Sequence, residues 1–549
     1  MSLLITTSVS FSQCPAAWVN GIGAPPSGST AQSFVSIAYS NNYVFLSCQM
    51  SLADTLVSGT VSINTDPSLI FPKVQYLVAM DTLGATEWML SIGCQSFLGN
   101  ETSMISDEVG NTYLFMSFPS NLYLPDTILT TDNGNCMVTK FDPNGTRVWT
   151  KQMEGLGIPR SVWCNGKLVF ALGYESQIEF SGSNYASDGE FDFLIVWMNA
   201  DGEVEQVKEI KGIGESTVYD ISCIGQNLLV QGRFNQELEY SGTSLGTSGE
   251  SQYRSYQLFL NPQGSLLWNT QSTFHIGGGW LQESAARVGN QIISVGRHGT
   301  EGIAFGNLTI PHFGGGDGYI CGQNLGDGSF NWLRGFGSDG SEYLLKVTEY
   351  GNNLAISGQS ASAQVFFDGG QFENQFPGVR QPILFAVDTT GKFVCKKEIE
   401  SDSELGSISE FITSGSAIYA GINYGAVRPL DDFNTALVGQ RNLGVWKTCL
   451  PCDTSVGIKE TTAQTTSLAV YPNPLTAQAQ LNYRAPQGIK PVLRLTDVHC
   501  RVVQTVQLPN NEGSYTLEAT ELSAGVYFCS LLNGTEVLAT QKLSVVKNE

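Results

Sequence analysis

The chain has 549 residues, enough for more than one domain and a large core. Charged residues make up only 14%, against roughly 25% in average soluble proteins, while 60 glycines point to β-structure with many turns. A formal net charge of −22 excludes the basic footprint that nucleic acid or anionic lipid requires, and no apolar run reaches the ~20 residues of a membrane-spanning helix.

In chain order, residues 1–13 (MSLLITTSVSFSQ) look like the end of an export signal that lacks a basic n-region. From Trp18 to Trp446 the chain then repeats with a period of roughly 60 residues. One signal is a turn ahead of a tryptophan. It runs Asp81 to Gly84 before Trp88, Asp142 to Gly145 before Trp149, Asn199 to Gly202, and Asn261 to Gly264 before Trp268. Gly328 before Trp332 and Asp388 to Gly391 continue it, with a degraded seventh copy near Gly444. Glycine supplies the positive φ of a tight hairpin and Asp or Asn caps it. As calcium loops these turns lack the dense alternating acids.

A second signal is a Gly or Asn turn leading into an apolar strand. The copies are Asn41 to Cys48, Gly110 to Ser117, Gly166 to Gly173, Gly225 to Gly232, Gly289 to Gly296, Gly351 to Gly358 and Gly415 to Gly421. Such runs fit strands buried on both faces. A third signal is a Gly-x-Gly step after the tryptophan, as in Trp332 to Gly337. It recurs in Trp18 to Gly23, where no repeat precedes it. A ring closed by a strand from the other terminus needs such an orphan strand, and closure hides the edges. The fold class predicted is therefore all-β: a seven-bladed β-propeller over residues 14–452, with Trp18 to Gly23 completing the last blade.

The twelve cysteines are scattered, and Cys449-Leu450-Pro451-Cys452 is the one C-x-x-C. It reads as a staple at a domain end, with Cys14 a candidate partner, rather than as a zinc or redox site. Cys500 and Cys529 are candidates for a bridge in the C-terminal region. The four histidines fall in no metal-spaced motif, and neither a G-x-S-x-G elbow nor a P-loop is present. No cofactor and no catalysis are predicted. The alternative is a polysaccharide hydrolase or lyase that draws a carboxylate pair from the 50 acidic residues. Long segments from Tyr174 to Phe191, Arg233 to Tyr256 and Gln359 to Arg380 place Tyr185, Phe191, Tyr240, Tyr253 and Phe372 on one face as candidate ligand-stacking aromatics. The plainer alternative for each is packing inside a long hairpin.

Residues 453–466 (DTSVGIKETTAQTT) are polar and Thr-rich, as in a linker. Residues 467–549 follow with short apolar alternations around Val492 to Leu495, Val502-Val503, Val526 to Phe528 and Leu543 to Val545. Pro472 and Pro474 belong at a strand edge, because proline cannot donate to a ladder. About seven short strands in this length predict a small Ig-like β-sandwich.

Four pieces of this tail occur in a telling order: Tyr471-Pro472-Asn473-Pro474, Asp497 to Val503, Leu522 to Tyr527 with Gly525, and a last strand carrying Lys542. Together they resemble the type A C-terminal sorting domain of the bacterial type IX secretion system, although Cys500 stands where that family usually has a turn glycine. The resemblance implies that Tyr471, Pro472, Asn473, Pro474, Gly525, Tyr527 and Lys542 form a sorting signal. It implies as partners the outer-membrane type IX translocon and its sortase, and as destination the cell surface or the medium.

The repeats, with Phe191-Asp192-Phe193-Leu194-Ile195 and Asp317-Gly318-Tyr319-Ile320, resemble secreted bacterial propeller repeats of the SBBP type, which carry architecture and little chemistry. The expectation is an exported, non-catalytic propeller that binds an extracellular glycan or protein.

Overall fold

The computed structural model describes residues 18–547 apart from 24–31, 51–54, 59–60, 65–72, 95–101, 132–134, 155–159, 190, 250–252, 273–281, 300–301, 369, 375–377, 398, 400–406, 425–441, 451–466, 486–489, 498–500 and 534–535. The N-terminal segment 1–13, Cys14, Cys452, Cys500 and the linker therefore lie outside the described residues. The chain is all-β and divides into two compact units, Met1–Cys452 and Asp453–Glu549.

In the first unit the described strands make seven antiparallel sheets built on four strands each, beside three two-stranded hairpins. The first strands of the sheets are Gln32–Ser40, Thr102–Ser106, Arg160–Cys164, Ser216–Ile224, Gln282–Val288, Glu342–Tyr350 and Ser407–Ser414. Each lies against the first strand of the next sheet, and Ser407–Ser414 lies against Gln32–Ser40, so the contacts return to their start. The seventh sheet has only three strands from its own repeat. Its fourth place is filled by Trp18–Gly23, which pairs antiparallel with Asn442–Thr448 in the register Val19 to Trp446 and Asn20 to Val445.

The second strands are buried along nearly their whole length, as in Thr112–Phe118 and Lys167–Tyr174. Their successive side chains point to opposite faces and so feed two different cores. Leu114 packs with Phe45 between the first two sheets, and its neighbour Phe115 packs with Phe170 between the second and third. The same alternation places Val230 in the core shared with the third sheet and Leu229 in the core shared with the fifth. Ile418 and Tyr419 likewise face the sixth and the first sheets. Each side chain so buried stabilises the unit by about 2 kcal/mol.

The turns latch neighbouring sheets together. Asp81 Oδ1 accepts the amides of Leu83 and Ala85, both at 2.8 Å, and Asp142, Asn199, Asn261 and Asp388 repeat the pattern. The indole N–H of Trp88 donates to Pro143 O in the next sheet's turn at 2.9 Å, as Trp149 does to Ala200 O and Trp268 to Leu325 O, both at 3.1 Å. Between the seventh and first sheets Lys447 Nζ reaches Thr82 O at 2.9 Å, in the manner of Lys140 Nζ to Ala200 O at 3.0 Å.

The second unit is a three-stranded sheet (Ser467–Tyr471, Gln478–Arg484, Glu512–Glu518) and a four-stranded sheet (Val502–Gln507, Val492–Asp497, Gly525–Asn533, Glu536–Val545) around one core. The alternation predicted from the sequence is plain in Gln478–Arg484, where Ala479, Leu481 and Tyr483 point inward and the residues between them are exposed.

Two cysteine expectations are corrected. Cys529 is a free thiol buried in the second unit's core, where burial pushes its pKa up to about 12. It faces the interior of a packed sheet, so it serves as a small apolar side chain. Cys449 is also free. Among the described residues a disulfide joins Cys164 to Cys223, bridging the first strands of the third and fourth sheets, and Cys395 is disulfide-bonded as well.

Candidate ligand-binding channel

The first strands of all seven sheets enclose a cavity of about 930 Å³. Five of these strands carry a bulge at one level, with the register slipping at Phe34/Ser36, Val218/Asp220, Gln282/Ser284, Leu344/Lys346 and Ile408/Glu410. A bulge re-aims the side chains beside it. Ser36, Ser103, Ser161, Asp220, Ser284, Lys346 and Glu410, one from each sheet in turn, line the cavity, with Arg160 and Tyr219 beside them.

Most hydroxyls of this layer bind the adjacent sheet. Ser36 Oγ donates to Met104 O at 3.2 Å, Ser284 Oγ to Val347 O at 3.4 Å, and Ser103 and Ser161 share a bond of 2.8 Å. Further along the cavity Thr348 and Thr413 meet at 3.0 Å, and Tyr39 stacks on Tyr419 at 5.5 Å between ring centres.

Among the described residues the charges of the lining are balanced. Lys346 Nζ lies 3.4 Å from Glu410, and water still reaches about a third of each side chain (32% and 33%). That screening keeps the pair near the modest ~1 kcal/mol of surface salt bridges. Glu410 holds the Lys346 ammonium above the usual lysine range, against the burial that would lower it. Burial pushes the Asp220 carboxyl above its ordinary range, opposed by the charges of Lys346 and Arg160 and by the Ser222 hydroxyl, which donates at 2.6 Å. Arg160 Nε is buried, and among the described residues it has no hydrogen-bond partner. Charged groups of both signs on rigid strands can orient a polar ligand, since packing fixes their positions before it arrives.

None of these residues was singled out by the sequence patterns. A signal existed: Ser161, Asp220, Ser284, Lys346 and Glu410 each stand five residues before the turn glycine of their repeat (Gly166, Gly225, Gly289, Gly351 and Gly415).

The five candidate aromatics do not form one exposed surface. The long segments that carry them fold as β-hairpins, among them Gln177–Phe180 with Ser183–Ala186, Glu237–Tyr240 with Thr243–Thr247, and Gln364–Phe367 with Gly370–Glu373. Tyr240 is buried with its hydroxyl donating to Gly264 O at 2.6 Å. Phe372 is buried against Phe336 and Phe385 at 5.4 and 5.2 Å. For these two the stacking role is corrected, because no ring face is open to a ligand. Tyr185 and Phe191 are half-buried, Phe191 edge-on to Phe193 at 5.2 Å. Tyr253 donates to Glu215 Oε2 at 2.7 Å beneath the Arg233 guanidinium, 4.3 Å from its ring centre.

In the second unit the predicted sorting residues gather around the last strand. Asn473 Nδ2 donates to Lys542 O at 2.7 Å and Asn473 Oδ1 accepts from Ser544 N at 2.9 Å, clipping the exposed Tyr471-Pro472-Asn473-Pro474 segment to the chain end. Tyr471 is 79% exposed. Tyr527 is buried, its hydroxyl donating to Ser523 O at 2.9 Å, while Gly525 pairs with Val545 and the exposed Lys542 with Phe528. Cys500 lies outside the described residues; on either side of that stretch Asp497 accepts both the Arg501 amide at 3.0 Å and its guanidinium at 2.7 Å.

Residues 469–546 match the secretion system C-terminal sorting domain family. This tail is a type IX sorting domain, and the protein is exported through the outer membrane to the cell surface or the medium. No curated protein matches the chain. Among solved structures it is similar, at 10% identity, to PorZ, described as an essential bacterial surface component of the type IX secretion system of Porphyromonas gingivalis; 95% of this chain and 70% of that one are covered, with a TM-score of 0.26. It is also similar at 10% identity to the acylaminoacyl peptidase of Pyrococcus horikoshii, over 84% of this chain and 59% of that one, with a TM-score of 0.40. At such scores neither neighbour informs the fold or activity of this chain.

Proposed function

We propose that the first unit is a seven-bladed β-propeller and that it works outside the cell as a non-catalytic binding module, delivered by an Ig-like sorting domain that the translocon and its sortase recognise. The propeller reading is supported by the ring of first-strand contacts and by the N-terminal strand in the seventh sheet. The binding reading rests on one observation: a cavity framed by all seven sheets, with charged side chains held on rigid strands. The expected extracellular ligand is a glycan or protein met by the outer surface, where Tyr253 and Arg233 lie, or a smaller molecule in the cavity.

Two measurements test this. Deleting residues 471–549 should leave the protein inside the cell envelope, whereas unchanged appearance outside the cell would contradict the sorting role. The full chain on a glycan array should retain ligands without releasing reducing sugar. Release from a polysaccharide that one carboxylate substitution abolishes would replace binding by hydrolysis.

A further inference from the structure

Among the described residues six charged side chains line the cavity, and they cancel: Arg160, Arg287 and Lys346 against Asp220, Glu349 and Glu410. They are not equally engaged. Lys346 and Glu410 neutralise each other at 3.4 Å. Arg287 is exposed and donates from Nε to Gly289 O at 3.0 Å, and Glu349 is also exposed. That leaves one cation and one anion on the neighbouring first strands of the third and fourth sheets. Arg160 has a buried Nε without an acceptor among the described residues. Among the described residues Asp220 accepts the Ser222 hydroxyl and no cation lies within ion-pair distance of it, although the charges of Lys346 and Arg160 favour its ionised form.

A guanidinium offers five donors in a planar fork suited to a carboxylate, and a carboxylate without an ion-pair partner suits an ammonium group. A ligand with a single charge would upset the cavity's balance and leave one buried charge uncompensated, which is costly. A neutral polyol would find Ser36, Ser103, Ser161 and Ser284 already bonded across the sheet junctions. What fits is a molecule that carries both charges and no net one.

We propose that the cavity is a binding site for small zwitterions of the α-amino acid class, with Arg160 receiving the carboxylate and Asp220 the ammonium group. The proposal deepens the binding reading above, yet the two fail separately: a glycan or protein held by the outer surface does not require Arg160.

The test is calorimetric titration of the full chain with glycine and leucine, and with acetate and ethylammonium as single-charge probes. Saturable binding of the amino acids, at least tenfold tighter than of either probe, is expected. It should weaken at least tenfold in Arg160→Gln and in Asp220→Asn, with Arg160→Lys falling between, while the melting profile of each variant stays that of the parent. Equal binding of acetate, or no binding of either amino acid by the folded parent chain, would overturn the proposal without recourse to any variant. Unchanged affinity in a folded Arg160→Gln would overturn the role of Arg160.

Discussion

Asp192 begins the third strand of the third sheet and is fully buried. Burial pushes its carboxyl up to about 6, although Ser187 Oγ donates to it at 2.8 Å and the amides of Asp188 and Gly212 at 3.2 Å. Because the folded value lies above the unfolded one, the group stabilises the fold fully below about pH 4, and that contribution is lost as pH rises through about 6. Two units correspond to about 3 kcal/mol. The stability of the parent relative to Asp192→Asn should therefore fall by up to that amount between pH 4 and pH 7, read from melting temperatures of both chains. A pH-independent difference would show that the carboxyl ionises normally. Asp192 and Asp317 stand in the segments that carry the repeat resemblance, but their work is visible only in space. Asp192 collects an amide from Gly212, 20 positions away, and Asp317 takes the amide of Phe313 at 2.7 Å.

The turn before each tryptophan is legible from spacing because Gly and Asp there answer to local backbone geometry. The partner of that turn is not legible, since it belongs to the previous repeat: Trp88 meets Pro143 55 positions on. Gly145 has φ +81°, and a Cβ added there would come within 2.8 Å of the Trp88 ring. Gly166, at φ +72°, faces open space. Gly166→Ala should thus cost about 1 kcal/mol for its backbone alone, while Gly145→Ala should cost about 1–3 kcal/mol more through the displaced latch. Comparing the two melting temperatures isolates the contact, and equal losses would remove the latch from the account. The Cys164–Cys223 bridge has the same character. It joins residues 59 positions apart, and no spacing among twelve cysteines could single it out.

At the scale of the whole molecule, the all-β class, the repeat count and the tail follow from local signals repeated many times. Apolar strands after a turn are recognisable wherever they stand, and so are the pieces of the sorting domain. In sequence the long polar segments read as open loops. They fold as hairpins that bury Tyr240 and Phe372, and the hairpin of Thr55–Ser58 and Val61–Asn64 covers the strand Trp18–Gly23, whose edge would otherwise be open to other chains. The cavity residues are hard to read from sequence for a related reason. Their shared offset from the turn glycine gains meaning only once seven first strands face one another.

The proposed closure of the ring by the strand Trp18–Gly23 is tested most directly at the register of Asn20 with Val445. Partners in an antiparallel ladder have Cα atoms about 4.5–5.5 Å apart, within reach of a disulfide. Cysteines placed at both positions (Asn20→Cys with Val445→Cys) should link under mild oxidation of the native chain, and mass spectrometry of unreduced peptides should find residue 20 joined to residue 445. Absence of that linkage in the folded protein, or a link from residue 20 to another sheet instead, would contradict the closure.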